Sequence, residues 1–209
     1  MATHTRTSVI VGLVVVAAAT AGCSGSGSPA AKGAAPPGSS TSSAQGAQNN
    51  AAPTESNPPG DIPDNQAYVP FSGSGFTVKV PEGWARTQQA GATVFTDKLN
   101  TVRIETANAS TAPTVGSVTS TVVPRLQSQV PKFAAPKVSE VTRHGGHAVL
   151  LAYQGDSAKD PVTGKVVREA FERYAFQRSG HEVDLTLSGP VNADNVDPWR
   201  IISDSMAWR

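Results

Sequence analysis

Four groups of side chains in this sequence have types and spacings that chemistry could use. His144 and His147 flank Gly145-Gly146, and a tight turn there would set both imidazoles opposite each other on one face, the start of a metal pair. Zinc normally takes three or four protein ligands, so exposed hairpin flanks are the plainer reading. Arg168, Glu169, Glu172 and Arg173 could line an acid–base pocket. Side chains along a strand alternate, however, so Glu169 and Arg173 fall on the opposite face from Arg168 and Glu172, and cross-strand surface ion pairs are the expected use. Asp156 and Asp160 offer the oxygen ligands calcium takes, but a third and fourth ligand are not evident, which leaves an Asp-rich hairpin loop. Trp84, Trp199 and Trp208 could stack a sugar or lipid; core and helix-docking roles are expected first.

No nucleophile elbow, zinc-protease pair, Walker loop or dinucleotide fingerprint occurs. The sequence therefore assigns no catalytic residue, no metal ligand and no cofactor. Gly73-Ser74-Gly75 reads as a loop before the first strand.

A fifth position is of a different kind. Cys23 is the only cysteine in the chain, so it has no partner for an internal disulfide. It follows a short basic head, Arg6 with His4 nearby, and an uncharged run from Val9 to Ala19. That run is far below the roughly 20 residues a bilayer span needs, and it has the layout of a signal peptide. The ending Thr20-Ala21-Gly22-Cys23 resembles the bacterial lipobox, in which the cysteine receives diacylglycerol before cleavage; Thr20 departs from its usual aliphatic residue. Residues 1–22 are thus expected to be a lipoprotein signal peptide and Cys23 the lipid attachment site. Palmitate-type acyl chains would hold the protein on the extracellular face of the cytoplasmic membrane, and two or more hold it stably.

Composition sets the next bounds. The 209 residues carry 17 basic and 16 acidic side chains, a net charge of +1, so no basic excess draws the chain to nucleic acid. Residues 23–67 read as the anchor and a disordered Ser/Gly/Ala/Pro linker, with hardly any large apolar side chain to offset the entropy of ordering. A flexible segment of that length spans on the order of 35 Å. Ser39 to Ser43 and Thr54 are candidate O-glycosylation acceptors, although a bare spacer is the simpler use.

The elements that must position the candidate residues lie in 68–209, long enough for one real core. Phe76, Val78 and Val80 alternate with polar residues as a half-buried strand does. Ala92–Thr96 and Thr101–Thr106 form a hairpin turning through Asp97 to Asn100. Val115, Val118, Val122, Leu126 and Val130 recur at threes and fours, one face of a helix, with Pro124 kinking it or opening a second one. Lys137–Arg143, Ala148–Tyr153, Val166–Arg178 and Glu182–Gly189 make a meander. Ala148–Tyr153 is apolar on both parities and should be a central strand covered on both faces. Asp197-Pro198 has the form of an N-cap with proline at the first position of a closing helix, which Trp199, Ile202 and Met206 would dock. Short turns imply an antiparallel sheet of about six to seven strands with two main helices packed on it, an α+β fold.

The run Phe76–Trp84, the pattern Glu172–Phe176 and the ending Asp197–Trp208 resemble those of actinobacterial lipoproteins similar to the LpqN-type and PsbP-like group. The resemblance implies that same antiparallel sheet with packed helices. It also implies a non-enzymatic binding or assembly role, and supplies no catalytic residues. The expected function is a cell-surface lipoprotein binding an envelope protein, lipid or glycan. The alternative is a hydrolase or transferase acting on cell-wall material, which a cavity lined by titratable groups of shifted pKa would favour. The binding surface is expected where the sheet is left uncovered, or in a groove beside the Pro113–Val130 segment.

Overall fold

The computed structural model describes residues 59–209. The expectations for the signal peptide, Cys23, and the acceptors at Ser39 to Ser43 and Thr54 lie outside these residues.

The described residues form ten strands in two antiparallel sheets, most of them on alternating apolar positions. The smaller has the order β1-β2-β10, from β1 (Tyr68–Gly73), β2 (Phe76–Pro81) and β10 (Ala207–Trp208). The larger runs β3-β4-β5-β9-β8-β7-β6. Its members are β3 (Ala85–Gln89), β4 (Ala92–Asp97), β5 (Asn100–Asn108), β6 (Ala134–Arg143), β7 (Gly146–Asp156), β8 (Arg168–Arg178) and β9 (His181–Pro190). The chain leaves β5 in mid-sheet and returns as β6 at the far edge, so its crossover must pass over one face.

That crossover is helical in three pieces: α1 (Val115–Ser117), a π turn (Val118–Val122) and α2 (Val123–Gln129). Thr114 caps its start, its hydroxyl accepting from the Ser117 N–H while Ser117 Oγ accepts from the Thr114 N–H. Pro124 has no N–H to give to a carbonyl one turn back, and the widened turn before it, in which the Val123 N–H reaches Val118 O, absorbs the missing bond. The sequence thus predicts both the helical face and the break at Pro124. Val118, Val122, Leu126 and Val130 bury against Val149, Leu151 and Tyr153. Gly155 lets the end of this crossover close down, since a Cβ there would stand 2.2 Å from the Val130 side chain.

The other face of the large sheet is sealed by the small sheet and by α3 (Val196–Asp204). Phe76, Val78, Val80, Val102, Ile104, Tyr174, Phe176, Leu185, Ile202 and Met206 form its continuous core. Ala148 lies in that core while Val149 and Leu151 lie in the other, so β7 is covered on both faces as its composition predicts. It lies beside the edge strand β6, however, and not at the centre of the sheet, because the crossover supplies the cover for its second face.

Several expectations need correction. Gly73 ends a strand, because β1 pairs with β2 along its whole length through Ser74-Gly75. β3 has no buried residue, and β10 has only two residues, so neither carries a pattern to read. Trp208 belongs to β10 and donates its indole N–H to Gly145 O at 2.9 Å. The closing helix begins at Val196, two residues before Pro198; proline is tolerated there because the first four N–H groups of a helix have no internal partner. Asn195, which precedes the helix, makes no cap. Its amide accepts from the Ile62 N–H at 2.8 Å and donates to Gly60 O and Asn100 Oδ1, each at 3.0 Å. Asn100 also donates to Gly60 O at 2.9 Å. Ile62 is in the core, so packed chain starts inside the 23–67 stretch expected to be anchor and linker.

Candidate functional site

The crossover covers β6 and β7 and overhangs Arg173 and Glu182 on β8 and β9, leaving the β5 side of the same face open; across this face the alternation of the strands delivers charge. Arg103 on β5, Thr186 on β9 and Arg173 on β8 lie in one cross-strand row, and Glu105, Asp184 and Ala175 lie in the next. Arg103 and Glu105 pair at 2.9 Å. Arg173, whose side chain is 7% exposed, ion-pairs with Asp184 and lies 3.9 Å from Glu182. Asp184 Oδ1 is buried with no hydrogen-bond partner among the described residues. Burial pushes the Asp184 carboxyl up, against the opposing pull of the Arg173 guanidinium. A buried pair of this kind costs desolvation that Coulomb attraction only partly offsets.

Beside this cluster stands an aromatic stack. The Tyr153 ring lies parallel to Phe171 with centroids 4.6 Å apart, and Phe133 stacks on it from the crossover side at 5.0 Å. The Tyr153 hydroxyl is pushed up to about 12, first by burial; Arg173 opposes this, and Glu169 and Glu105 add to it.

Two hollows open on this face. The smaller, about 250 Å³, lies between the Thr111–Val122 stretch and the sheet, with Arg173 and Glu182 in its lining. This is the groove expected beside the Pro113–Val130 segment. The larger, about 870 Å³, lies under the loop joining β7 to β8 and reaches the β4–β5 turn. Glu169 sits in it, making no hydrogen bond or ion pair among the described residues, and burial raises its carboxyl to about 7.

The four charged residues of β8 are therefore separated as alternation requires. Glu169 and Arg173 occupy the open face. Arg168 and Glu172 occupy the other, where Arg168 pairs with Asp156 at 3.3 Å and Glu172 accepts from the Tyr174 hydroxyl at 2.6 Å. Arg143 joins that inner network, donating to Ser203 Oγ of α3 at 3.1 Å and to the Tyr174 hydroxyl at 3.3 Å. The expectation of surface ion pairs fails for Arg173 and Asp184, because the crossover and the neighbouring strands bury them.

The remaining candidates are committed elsewhere. His144 and Gly145 form the turn, with Arg143 opposite Gly146 and His147 opposite Thr142, so the two histidines are not cross-strand partners. Both line a groove of about 470 Å³ with Arg178 and Trp208, and His147 approaches Glu140 at 3.5 Å. Asp156 is held between Lys132 at 2.8 Å and Arg168, and these cations keep its carboxyl below the usual range. Asp160 closes its own turn, accepting from the Thr163 N–H at 2.6 Å, the Thr163 hydroxyl at 2.8 Å and the Val162 N–H at 3.0 Å. Among the described residues no group of three or more His, Cys, Asp or Glu could hold a metal. Trp199 is in the core and Trp84 and Trp208 border it, the helix-docking and core roles expected of them. Among the described residues no helix is long and apolar enough to cross a membrane.

No family model matches the chain, and no curated protein sequence matches it. Solved structures with a similar arrangement include cyanobacterial PsbP (CyanoP) from Synechocystis sp. PCC 6803, at 14% identity and a TM-score of 0.48 over 69% of this chain and 94% of that one. They also include LpqN of Mycobacterium tuberculosis, described as involved in cell envelope biogenesis, at 15% identity and a TM-score of 0.42 over 69% and 91%. A Bacteroides thetaiotaomicron structure is similar at 11% identity and a TM-score of 0.45 over 69% of this chain, which spans about half (48%) of its length.

Proposed function

We propose that this chain is a lipid-anchored cell-surface protein whose α+β unit is a non-catalytic binding or assembly module for an envelope protein, lipid or glycan. The observation that carries the reading is the open face itself. Charge that is costly to desolvate is concentrated at Arg173, Asp184 and Glu182, with Arg173 and Glu182 lining the smaller hollow and Glu169 in the larger, while on the opposite face the same strands pack into a continuous apolar core. Attachment through Cys23 supports the reading, since confinement near a membrane raises the effective concentration for a partner held there.

The test places a photo-crosslinking residue at Ala107, exposed on the open face, or at Lys79 on the outer face of β2 as control. In intact cells a discrete adduct from Ala107 and none from Lys79 is expected. Equal labelling from both positions overturns the assignment of the open face.

One observation favours a second reading, a hydrolase or transferase acting on cell-wall material. Glu169, with its carboxyl near 7 in the larger hollow, has the protonation behaviour of a general acid. It lacks a working partner there, because the hollow's other carboxylate, Asp160, is spent on its turn. Turnover of an ester, phosphoester or wall substrate that Glu169→Gln abolishes would establish this reading in place of the first.

A further inference from the structure

The larger hollow of the open face also indicates the kind of ligand it suits. Its volume of about 870 Å³ is within the range of roughly 300–1,000 Å³ that encloses small organic ligands. Two separate segments bring ammonium groups to it: Lys98 from the β4–β5 turn, and Lys159 and Lys165 from the β7–β8 loop. None of the three makes an ion pair among the described residues. Thr96 and Thr101 on the sheet add hydroxyls with no side-chain hydrogen bond of their own among the described residues. The negative groups of the lining are Asp160, fixed in its turn, and Glu169. Three lysines from two separate segments, two threonine hydroxyls and one carboxyl able to change charge suit an anion on a hydroxylated scaffold.

We propose that this hollow binds a sugar bearing a single anionic group, its anion among Lys98, Lys159 and Lys165, and that Glu169 opposes binding whenever it is ionised. The inference rests on the reading of the open face as a binding surface. Other charged and titratable groups around Glu169 are the Tyr153 hydroxyl, Arg173 and Glu105 on the sheet and Asp160 in the lining. The Tyr153 hydroxyl, pushed up to about 12, stays neutral around pH 7, while the Glu169 carboxyl, raised to about 7 by burial, changes charge there. Losing that negative charge below neutrality leaves the lysines less opposed.

The experiment titrates the full chain with glucose 6-sulfate, whose charge is constant between pH 6 and 8, following backbone amide shifts. Glucuronate, glucose and inorganic sulfate are run beside it. Expected is saturable binding that moves amides in 96–101 and 157–169 and is roughly tenfold tighter at pH 6 than at pH 8, the size that one pKa unit of coupling gives. Glucose should not bind, and inorganic sulfate should bind more weakly. Saturation by glucuronate as well as the sulfate ester places the specificity in charge and hydroxyls; saturation by one alone names the anionic group. Glu169→Gln should bind at pH 8 as the unaltered chain does at pH 6, and Lys98→Ala, at an exposed turn, should weaken binding at both. The proposal is overturned by unsaturable shifts, by equal affinity at the two pH values, or by a pH dependence that survives Glu169→Gln. Adducts from Ala107 that persist alongside such a result leave the binding-module reading standing and remove only the ligand class.

Discussion

On one face of the seven-stranded sheet, Val102, Ile104, Val183, Leu185, Leu187 and Phe176 meet β1, β2 and α3 in a continuous apolar core. On the other face the same three strands, β5, β9 and β8, carry Arg103, Glu105, Glu182, Asp184, Arg173 and Glu169. A one-residue slip of register would exchange these sets. The first face secures the fold through burial of side chains that need no partner. The second spends buried surface on groups that are costly to desolvate, and does so beside its hollows. Stability and candidate function are thus divided between the two sides of single strands.

Substitutions can break or sharpen this contrast. The largest effect is expected on the sealed face: Phe176→Ala should cost about 3–5 kcal/mol in chemical denaturation, the usual range for a buried aromatic. A loss under about 1 kcal/mol would show that the core does not run through β8. Leu151→Ala, under the crossover, belongs to a smaller cluster and should cost about 2–4 kcal/mol. If it costs as much as Phe176→Ala, the crossover is as tightly held as α3.

Arg173→Met tests the charged rows. Removing one partner of a buried pair costs roughly 3 kcal/mol when the other stays ionised, but Asp184 can escape by taking a proton. With its folded pKa raised above the unfolded value, Asp184 penalises folding increasingly as pH rises through that folded pKa. The variant should therefore lose most stability at pH 8 and much less at pH 4, by urea unfolding at both. A loss independent of pH would mean that Asp184 has another partner.

Glu169→Gln should act in the opposite direction. Its pKa of about 7 lies above the unfolded carboxyl value, so the unaltered chain is penalised progressively from about pH 4.5 to 7. The amide removes that penalty, stabilising at pH 8 by on the order of 1 kcal/mol, since the carboxyl is partly open to water, and by nothing near pH 4. Smallest of all, His144→Ala and His147→Ala should each change stability by less than about 0.5 kcal/mol, as exposed positions do. A larger loss from His147→Ala would give its contact with Glu140 a weight the geometry does not suggest.

The strands with strict alternation, such as Glu182–Gly189, are legible in the sequence because period two and burial coincide. So are the helical face of the crossover and its break at Pro124, since proline removes a specific donor. The short strand β10 and the exposed β3 are not legible, for their pairing depends on distant partners and leaves no local pattern. The candidate site is half legible. Alternation separates Glu169 and Arg173 from Arg168 and Glu172, but a polar parity reads as solvated, and only the tertiary path of the crossover buries Arg173 and Asp184. Asp197-Pro198 misleads for a related reason: proline fits the third helical position as well as the first, and Asn195 is engaged by Gly60, Ile62 and Asn100.

That asparagine cluster has a mechanical consequence. Gly189 lies against it so closely that a Cβ would stand 2.4 Å from Asn100 Oδ1, which leaves the two amides no room to shift. Tension applied from the N-terminal side enters through Gly60 and Ile62, whose bonds lead to the inner strand β5 and to the start of α3. The chain must break those hydrogen bonds and draw Ile62 out of the core before β1 can peel from β2. A pull on the N-terminal side is thus met by a hydrogen-bonded clasp, and Asn195→Ala should lower the force at which it gives way.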